Sequence, residues 1–567
     1  MTAIRDVLTT AIRAALDDSD LPVPSAGVEL TPPRQREHGD WATNVALQVA
    51  KPAGRNPREV AADLRDLLLG AAIPHVTEIE IAGPGFLNFH LAPSWLHDVL
   101  PDVLEHGPDY GTSEALSGER INLEFVSANP TGPIHAGGGR WTAVGDALAN
   151  LLASQGADVH REYLLNDAGN QLDAFAASLL ARMRGEEPPE DGYQGQYIAD
   201  LADALRDAFD GEPSHADALE WGYARMLQEI RTDLERIGVR FDTWFSERTL
   251  HAQGAVDRVI EELRHRGHAF DHEGAVWLRS TEFGDTRDRV LIKSDGSPTY
   301  LAADLAYHLD KLGRGFTHLI NIWGADHHGQ VASLQAGLRA LGVEPRPEFG
   351  PEPEVILGQL VNLMRGGEPV RISKRAGDII TLADVLDEVD ADACRLTFLL
   401  QGIDHVQTFD IDVVTSQSME NPVYYVQYAH ARIASMARLA AERGVSRSEL
   451  SEVDLAELTH ERELDLLRSL AAYPEVVADA AHGRAPHRVT TWVREFAGRF
   501  HGFYHDCRVL PGESGVTPAQ TQARLWLIEA CRVGLANALA LLGVHAPDRM
   551  DRLPESDEGG AQESASA

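Results

Sequence analysis

The stretch INLEFVSANPTGPIHAGGGRWTAVGDALANLLA, residues 121–153, decides the fold class of this chain. It opens with a mostly apolar run of strand length, continues through residues 127–139 with two prolines and four glycines, and from about Arg140 has the apolar period of a helix. A strand, a glycine-rich turn and a helix together present backbone N–H groups to an anion at the edge of an open α/β sheet. The turn has neither Walker nor GxGxxG spacing, and its distinctive feature is His135 before glycines.

Three motifs carry a resemblance to a known family. ANPTGPIHAGGGR, residues 128–140, resembles the HxGH signature of class I aminoacyl-tRNA synthetases, in the extended form typical of arginyl-tRNA synthetases. YLLNDAGNQ, residues 163–171, resembles the Y-x-x-N-D-x-G-x-Q element of that family, and RISKR, residues 371–375, resembles its KMSKS loop. With further matches at both ends, the resemblance covers nearly the whole chain.

The resemblance implies an arginine–tRNA ligase. Such an enzyme joins L-arginine to tRNA(Arg) through an arginyl-adenylate and releases AMP and pyrophosphate. ATP is expected as a substrate, and Mg²⁺ should accompany it rather than occupy a site built entirely from protein ligands. The adjacent histidines 327 and 328 have no third ligand at a fixed spacing.

The resemblance also implies the residues of the ATP site. The expected catalytic residues are His135, Arg371 and Lys374. The residues expected to contact ATP are Pro133, His135, Gly137, Gly138, Ser373 and Lys374.

Tyr300 and Asp304 are four residues apart in a helical pattern and therefore share one helix face. A carboxylate suits the charged donor fork of arginine, and an aromatic ring can pack on its plane. In the family, matching residues contact the substrate arginine. The full set expected to bind arginine is Glu124, Ser127, Asn129, Tyr300, Asp304, Asp326 and His327.

Two regions are expected to contact tRNA. Tyr425, Tyr428 and Arg432 lie along one helical stripe and suit unpaired bases, although they could equally be the edge of an amphipathic core. HGDWATNVA and IAGPGFLNF resemble the family's N-terminal additional domain, in which Phe86 and Asn88 would face the tRNA elbow. A turn between two core strands is an equally simple explanation of those two residues.

The predicted fold class is multidomain. An α+β N-terminal module, residues 1–108, would contact the tRNA elbow at the D-loop. An α/β Rossmann-like class I catalytic domain, residues 109–400, would carry a helical insertion at about 174–280. An all-α anticodon-binding domain, residues 401–550, would precede a disordered acidic tail, residues 551–567.

Two departures from the family pattern keep alternatives open. Gly138 stands where the signature has its second histidine, and Arg371 stands where the KMSKS pattern has its first lysine. One alternative is a synthetase-like protein that binds tRNA without activating arginine. Another is a different ATP-dependent ligase or nucleotidyltransferase with the same nucleotide fold.

Composition sets the remaining expectations. The formal net charge is −37, and the only lysines are Lys51, Lys293, Lys311 and Lys374. An acidic excess spread along the chain is typical of proteins from salt-accumulating, halophilic organisms, because concentrated salt screens the repulsion. No apolar run has the length of a membrane span, and the three cysteines are widely spaced. We therefore expect a cytoplasmic monomer without membrane contact.

Overall fold

The computed structural model describes residues 4–25, 27–33, 35–346, 352–370, 380–511 and 515–550. The chain divides into two compact units. One consists of Met1–Tyr110, Ile433–Tyr473 and Gly498–Gly534, and the other of Gly111–Arg432, Pro474–Ala497 and Leu535–Ala567.

The N-terminal part of the first unit is an α+β module. Its elements are α1 (Ile4–Asp18), β1 (Trp41–Thr43), α2 (Val45–Ala50), α3 (Pro57–Gly70), β2 (Val76–Ala82), β3 (Phe86–Leu91), α4 (Ser94–His97) and α5 (Val99–His106). The strands form an antiparallel sheet in the order β1-β3-β2. The apolar faces of α1, α2 and α3 cover this sheet and bury residues at the helical period, such as Leu8, Ile12 and Leu64.

The second unit contains a parallel sheet with the order β11-β10-β4-β5-β6. Its first half consists of β4 (Arg120–Glu124), α6 (Gly138–Ser154), β5 (Asp158–Leu165), α7 (Asn170–Met183), α8 (Gln196–Ala208), α9 (His215–Arg236), β6 (Thr243–Ser246), α10 (Glu247–Ala252) and α11 (Ala255–His265). A small antiparallel sheet follows, with β7 (Ala269–His272), β8 (Ala275–Leu278) and β9 (Arg289–Ile292). The second half consists of α12 (Tyr300–Gly313), β10 (His318–Gly324), α13 (His328–Ala340) and β11 (Glu354–Gly358).

The prediction of a helical insertion at about 174–280 is only partly right. Helices α7, α8 and α9 account for it as far as Arg236, but Thr243–Ser246 is an edge strand of the central sheet. The reason lies in its two aromatic residues. Trp244 stacks on Tyr163 of the neighbouring strand with ring centroids 4.4 Å apart, and Phe245 packs on Tyr307 at 4.8 Å.

A third small sheet and the C-terminal helices complete the chain. The sheet, in the order β13-β12-β14, lies among β12 (Val361–Arg365), β13 (Glu368–Pro369), α14 (Leu382–Glu388), α15 (Ala391–Phe398), β14 (Gln407–Asp410) and α16 (Ile411–Thr415). The long helices are α17 (Pro422–Glu442), α18 (Glu461–His482), α19 (His487–Asp506) and α20 (Pro518–Leu541). The predicted fold class is confirmed. Within the described ranges, no helix is both long and apolar enough to cross a membrane.

Candidate active site

The candidate site lies at the carboxyl edge of the central sheet, where β4 ends and α6 begins. Val126 and Ser127, directly after β4, have φ values of 68° and 42°. Left-handed backbone costs a residue with a side chain about 1–3 kcal/mol, so the surrounding contacts must hold this turn. The Ser127 hydroxyl does so: it donates to Glu124 Oε1 at 3.1 Å and accepts from the Leu164 N–H at 3.1 Å.

The turn that carries His135 is held by backbone hydrogen bonds. The Ala136 N–H donates to the Ile380 carbonyl at 2.9 Å, and the Leu382 N–H donates to the Ile134 carbonyl at 2.7 Å. These two bonds pair the turn with the segment that follows residues 371–379. Thr381 then caps α14 through a capping box with Asp384.

The imidazole of His135 has a defined hydrogen-bonding role. Its Nδ1 accepts from the Gly137 N–H at 3.0 Å, which leaves the proton of the neutral ring on Nε2. Part of the ring reaches solvent, and burial of the rest lowers the pKa of His135. At neutral pH the ring is therefore an uncharged donor through Nε2.

Glycines allow α6 to approach its neighbours closely. A Cβ on Gly145 would lie 2.3 Å from the ring of Phe125, and a Cβ on Gly138 would lie 2.9 Å from Ile134 Cγ2. The helix therefore packs directly on β4 and on the turn. A side chain at Gly138 requires Ile134 to move.

The arginine half of the predicted site contains a buried ion pair. Glu124 is 3% exposed, and its Oε2 accepts from Lys311 Nζ at 2.6 Å. Its Oε1 accepts from Ser127. Both oxygens of Glu124 thus have protein partners, and the sequence did not predict Lys311 as part of the site.

Tyr300 is the first residue of α12 and Asp304 the fifth, so they share one face of the helix, as predicted. Tyr300 is 75% exposed, whereas Asp304 is half-buried. Burial, followed by the charges of Glu124 and Glu247, raises the pKa of Asp304 to about 7, and Lys311 opposes the shift. The Asp304 carboxyl therefore holds its proton more tightly than an ordinary aspartate does.

Glu247 is a site residue that sequence reasoning missed. It is the first residue of α10, directly after β6, and burial together with the charge of Asp167 raises its pKa against the influence of His251. Asp167 itself is fixed by the hydroxyls of Ser246 at 2.6 Å and Tyr223 at 2.9 Å. A strand assignment for residues 243–246 would have indicated Glu247, since it places a carboxylate at the carboxyl edge of the sheet.

The other predicted site residues lie at the same edge. Asn129 accepts a hydrogen bond from Asn166 at 2.9 Å, and Pro133 is half-buried in the turn. Asp326 and His327 follow β10 and are exposed; His327 Nδ1 lies 3.3 Å from Gln330 Oε1.

Three predicted residues, Arg371, Ser373 and Lys374, lie outside the described residues, as does the predicted tail, residues 551–567. In the part of the chain that the structure describes, no group of three or more His, Cys, Asp or Glu side chains could hold a metal ion.

The predicted tRNA stripe on α17 is a compact aromatic and cationic cluster. Arg432 Nη2 donates to the Tyr428 hydroxyl at 2.9 Å, and its guanidinium lies 4.5 Å from the centre of that ring. Tyr424 stacks on Tyr428 with centroids 5.8 Å apart. Burial raises the pKa of Tyr425 and the charge of Arg494 opposes the shift, which places a second arginine near the cluster.

The two predicted residues of the N-terminal module differ in exposure. Phe86, at the start of β3, is 39% exposed, whereas Asn88 is 4% exposed. Asn88 is buried because β3 is the central strand, with Ala42 and Glu80 as its neighbours in register. Of the two, Phe86 alone offers a side chain to a ligand in this structure.

Known proteins resemble this chain over nearly its whole length. Three family models match it: the arginyl tRNA synthetase N terminal domain at residues 6–91, the class I (R) tRNA synthetase catalytic domain at 99–410, and the DALR anticodon binding domain at 426–550. Among curated relatives, the arginine–tRNA ligase of Kineococcus radiotolerans is 48% identical and covers 97% of this chain and 99% of its own length. The arginine–tRNA ligase of Frankia alni is 49% identical and covers 96% and 99%.

Solved structures of arginyl-tRNA synthetases also resemble this chain. A putative arginyl-tRNA synthetase from Campylobacter jejuni is 34% identical with a TM-score of 0.73, and the match covers 81% of this chain and all of that one. Arginyl-tRNA synthetase from Thermus thermophilus, at 21% identity, shows the same fold with a TM-score of 0.74 over 97% of this chain and all of that one. Three family models and these full-length relatives agree, and the chain therefore belongs to the arginyl-tRNA synthetase family.

Proposed function

We propose that this chain ligates L-arginine to tRNA(Arg) in two steps. Arginine and ATP first give arginyl-adenylate and pyrophosphate, and the arginyl group then passes to the 3′ end of tRNA with release of AMP. The observation that carries the proposal is the match to arginine–tRNA ligases along nearly the full chain. The cluster of carboxylates at the sheet edge supports arginine as the amino acid.

The first step needs positioning and stabilisation of phosphate charge more than proton transfer. The carboxylate of arginine attacks the α-phosphate in line, so groups that fix both reactants contribute most of the rate. His135 donates from Nε2 to the phosphates beside the N-terminus of α6. Arg371, Ser373 and Lys374 contact them from the other side.

ATP lies on the turn between β4 and α6. Pro133, Gly137 and Gly138 form the surface against which the nucleotide packs. Mg²⁺ arrives bound to the ATP phosphates, since magnesium in such sites keeps much of its own water and needs few protein ligands.

Arginine lies between α12 and the ends of β4 and β10. Its guanidinium pairs with Asp304 and Glu247, and the ring of Tyr300 packs on it. Its other end is held by Ser127 and Asn129, near Asp326 and His327. Glu124, at the end of β4, contributes a further carboxylate to arginine; its oxygens accept from Ser127 and Lys311, and each retains another lone pair.

The remaining features follow the same proposal. Tyr425, Tyr428 and Arg432 contact unpaired bases of tRNA(Arg) from the anticodon-binding domain, residues 401–550. Phe86, and Asn88 if the strand opens, contact the tRNA elbow from the module of residues 1–108. We further propose that the protein is a cytoplasmic monomer adapted to high salt.

Aminoacylation tests the proposal directly. Purified protein with ATP, arginine and tRNA(Arg) is expected to give arginyl-tRNA, and ATP–pyrophosphate exchange is expected to require tRNA. A protein that binds tRNA(Arg) yet forms neither product would favour the alternative of a non-activating relative. Exchange at full rate without tRNA would contradict the expected dependence on tRNA.

A further inference from the structure

The face of α12 that meets the central sheet is unusually polar. Asp304, Tyr307, His308, Lys311 and Arg314 recur three or four residues apart and therefore line one face. In an α/β core this face is ordinarily apolar, because polar groups lose hydration there. Lys311, the fourth residue of the series, has no exposed surface.

The contacts of Lys311 are all internal. Its Nζ donates to Glu124 Oε2 at 2.6 Å and to Asn321 Oδ1 at 3.2 Å, and it lies 4.2 Å from the centre of the Tyr307 ring. A buried ammonium persists only with such compensation. The pair joins the last turn of α12 to the last residue of β4.

Glu124 transmits this attachment to the turn. Its second oxygen accepts from Ser127, which has the left-handed conformation and also accepts from the Leu164 N–H. A carboxylate is a stronger acceptor than a neutral carboxyl group. The ionised form of Glu124 therefore secures the turn that precedes the arginine site.

We propose that Lys311 is a positioning residue for arginine: it holds the carboxylate of Glu124 in place, and Glu124 fixes Ser127 and the turn on which arginine lies. The inference rests on the proposed function, in which arginine binds beside Asp304. Lys311 does not itself touch arginine.

The groups around Glu124 show why a cation is needed there. On α12, Asp304 and Tyr307 both interact with its charge. Beyond them lie Glu247, which faces Asp304, and Glu162 of β5, which faces Lys311 and Tyr307. Every one of these four is neutral or acidic, so removal of Lys311 leaves Glu124 without its charged hydrogen-bond partner.

The test is the KM for arginine in aminoacylation by Lys311→Met. The variant is expected to raise this KM by about tenfold or more, since a buried charge has lost its partner. The KM for ATP should change little in the same variant.

A double-mutant cycle tests whether Lys311 affects the KM for arginine through Glu124. In the Glu124→Gln background the amide can still accept from Ser127 but carries no charge, so adding Lys311→Met should change the arginine KM by less than about threefold. Arg314→Met is the matched control, because Arg314 forms a bidentate pair with Glu162 further along the same helix face, at 2.6 and 2.8 Å. It should leave the arginine KM within about threefold of wild type. An equal effect of Lys311→Met in both backgrounds would overturn the inference.

Folding does not obscure the result. If Lys311→Met fails to fold, a folded Glu124→Gln/Lys311→Met protein with the arginine KM of Glu124→Gln supports the proposal, and an unfolded double variant overturns it. Asp304→Asn distinguishes failure of the proposed function from failure of the inference. An unchanged arginine KM in Asp304→Asn removes arginine from this site and so contradicts the proposed function. A raised arginine KM in Asp304→Asn, together with a wild-type arginine KM in Lys311→Met, contradicts only the inference.

Discussion

The two halves of the proposed active site are held in place by different interactions. The turn that carries His135 is fixed by backbone hydrogen bonds to Ile380 and Leu382 and by close packing at glycines. The arginine half is fixed by charged side chains, with Lys311 and Glu124 buried and Asp304 beside them.

This difference determines what each half tolerates. Backbone hydrogen bonds survive the loss of a side chain but not the insertion of bulk, whereas a buried ion pair is sensitive to every change of charge. The ATP half should therefore respond to volume and to the loss of a donor. The arginine half should respond to charge and pH.

The largest effect is expected from His135→Ala. The turn should persist, because its bonds to Ile380 and Leu382 involve backbone atoms only, while the donor to the phosphates is lost. Removal of one such donor lowers kcat by about 10²–10³. Steady-state aminoacylation measures this, with His215→Ala, an exposed histidine paired with Asp173, as a control that should stay near wild type. Near-normal turnover would remove His135 from the reaction.

Asp304→Asn should act on arginine rather than on ATP. Loss of a charged partner for a guanidinium costs about 3 kcal/mol, which is roughly 10² in KM for arginine, with the KM for ATP nearly constant. The raised pKa of Asp304 means that the folded protein binds this proton more tightly than the unfolded chain does, so stability is lost as pH rises from about 4 to about 7. The variant should therefore be at least as stable as wild type at pH 8, and a large loss of stability would attribute the KM to misfolding.

The pH dependence of wild type is the next effect. Since the pKa of Asp304 is about 7, the carboxyl is protonated below that value and cannot pair with a guanidinium. The KM for arginine should rise by about tenfold for each pH unit below 7 and level off above about 8. Asp304→Asn should lack this dependence. A wild-type KM that is constant from pH 6 to pH 8 would show that the carboxyl is already ionised before arginine binds.

Substitutions that add side-chain volume at the glycines of α6 test the ATP half of the site. A side chain at Gly138 meets Ile134 Cγ2 at 2.9 Å, so Gly138→His should destabilise the protein by about 1–3 kcal/mol and reduce activity a few-fold rather than improve it. Gly145→Ala, whose Cβ would lie 2.3 Å from the Phe125 ring, is a harsher change at the same helix and should destabilise more. A large gain of activity in Gly138→His would instead mean that the missing histidine of the family signature limits this enzyme.

Features that are set by residues close together in the sequence could be predicted from it. The strand, turn and helix at residues 121–153, and the shared face of Tyr300 and Asp304, are of this kind and agree with the structure. Lys311 could not be predicted, because its partner Glu124 is 187 residues away and nothing local distinguishes it from a surface lysine. Glu247 was missed because the strand before it, residues 243–246, is short and owes its place to aromatic partners that are distant in the sequence.

The smallest expected effect is that of salt on arginine binding, and it separates buried charge from surface charge. With a net charge of −37, repulsion across the surface should weaken as KCl rises from 0.1 M toward the molar range, where the Debye length falls from about 10 Å to about 3 Å. Thermal stability and aminoacylation should therefore increase, even though salt also weakens arginine–phosphate contacts with tRNA.

The Lys311–Glu124 pair has side chains that are 0% and 4% exposed, so ions cannot screen it. The KM for arginine should accordingly change by less than about twofold over the same range. Thermal unfolding and arginine KM measured on one preparation test both halves of this prediction. Full stability already at 0.1 M KCl would show that the acidity serves another purpose, and an arginine KM that rises steeply with salt would show that the charges of the arginine half are accessible to solvent.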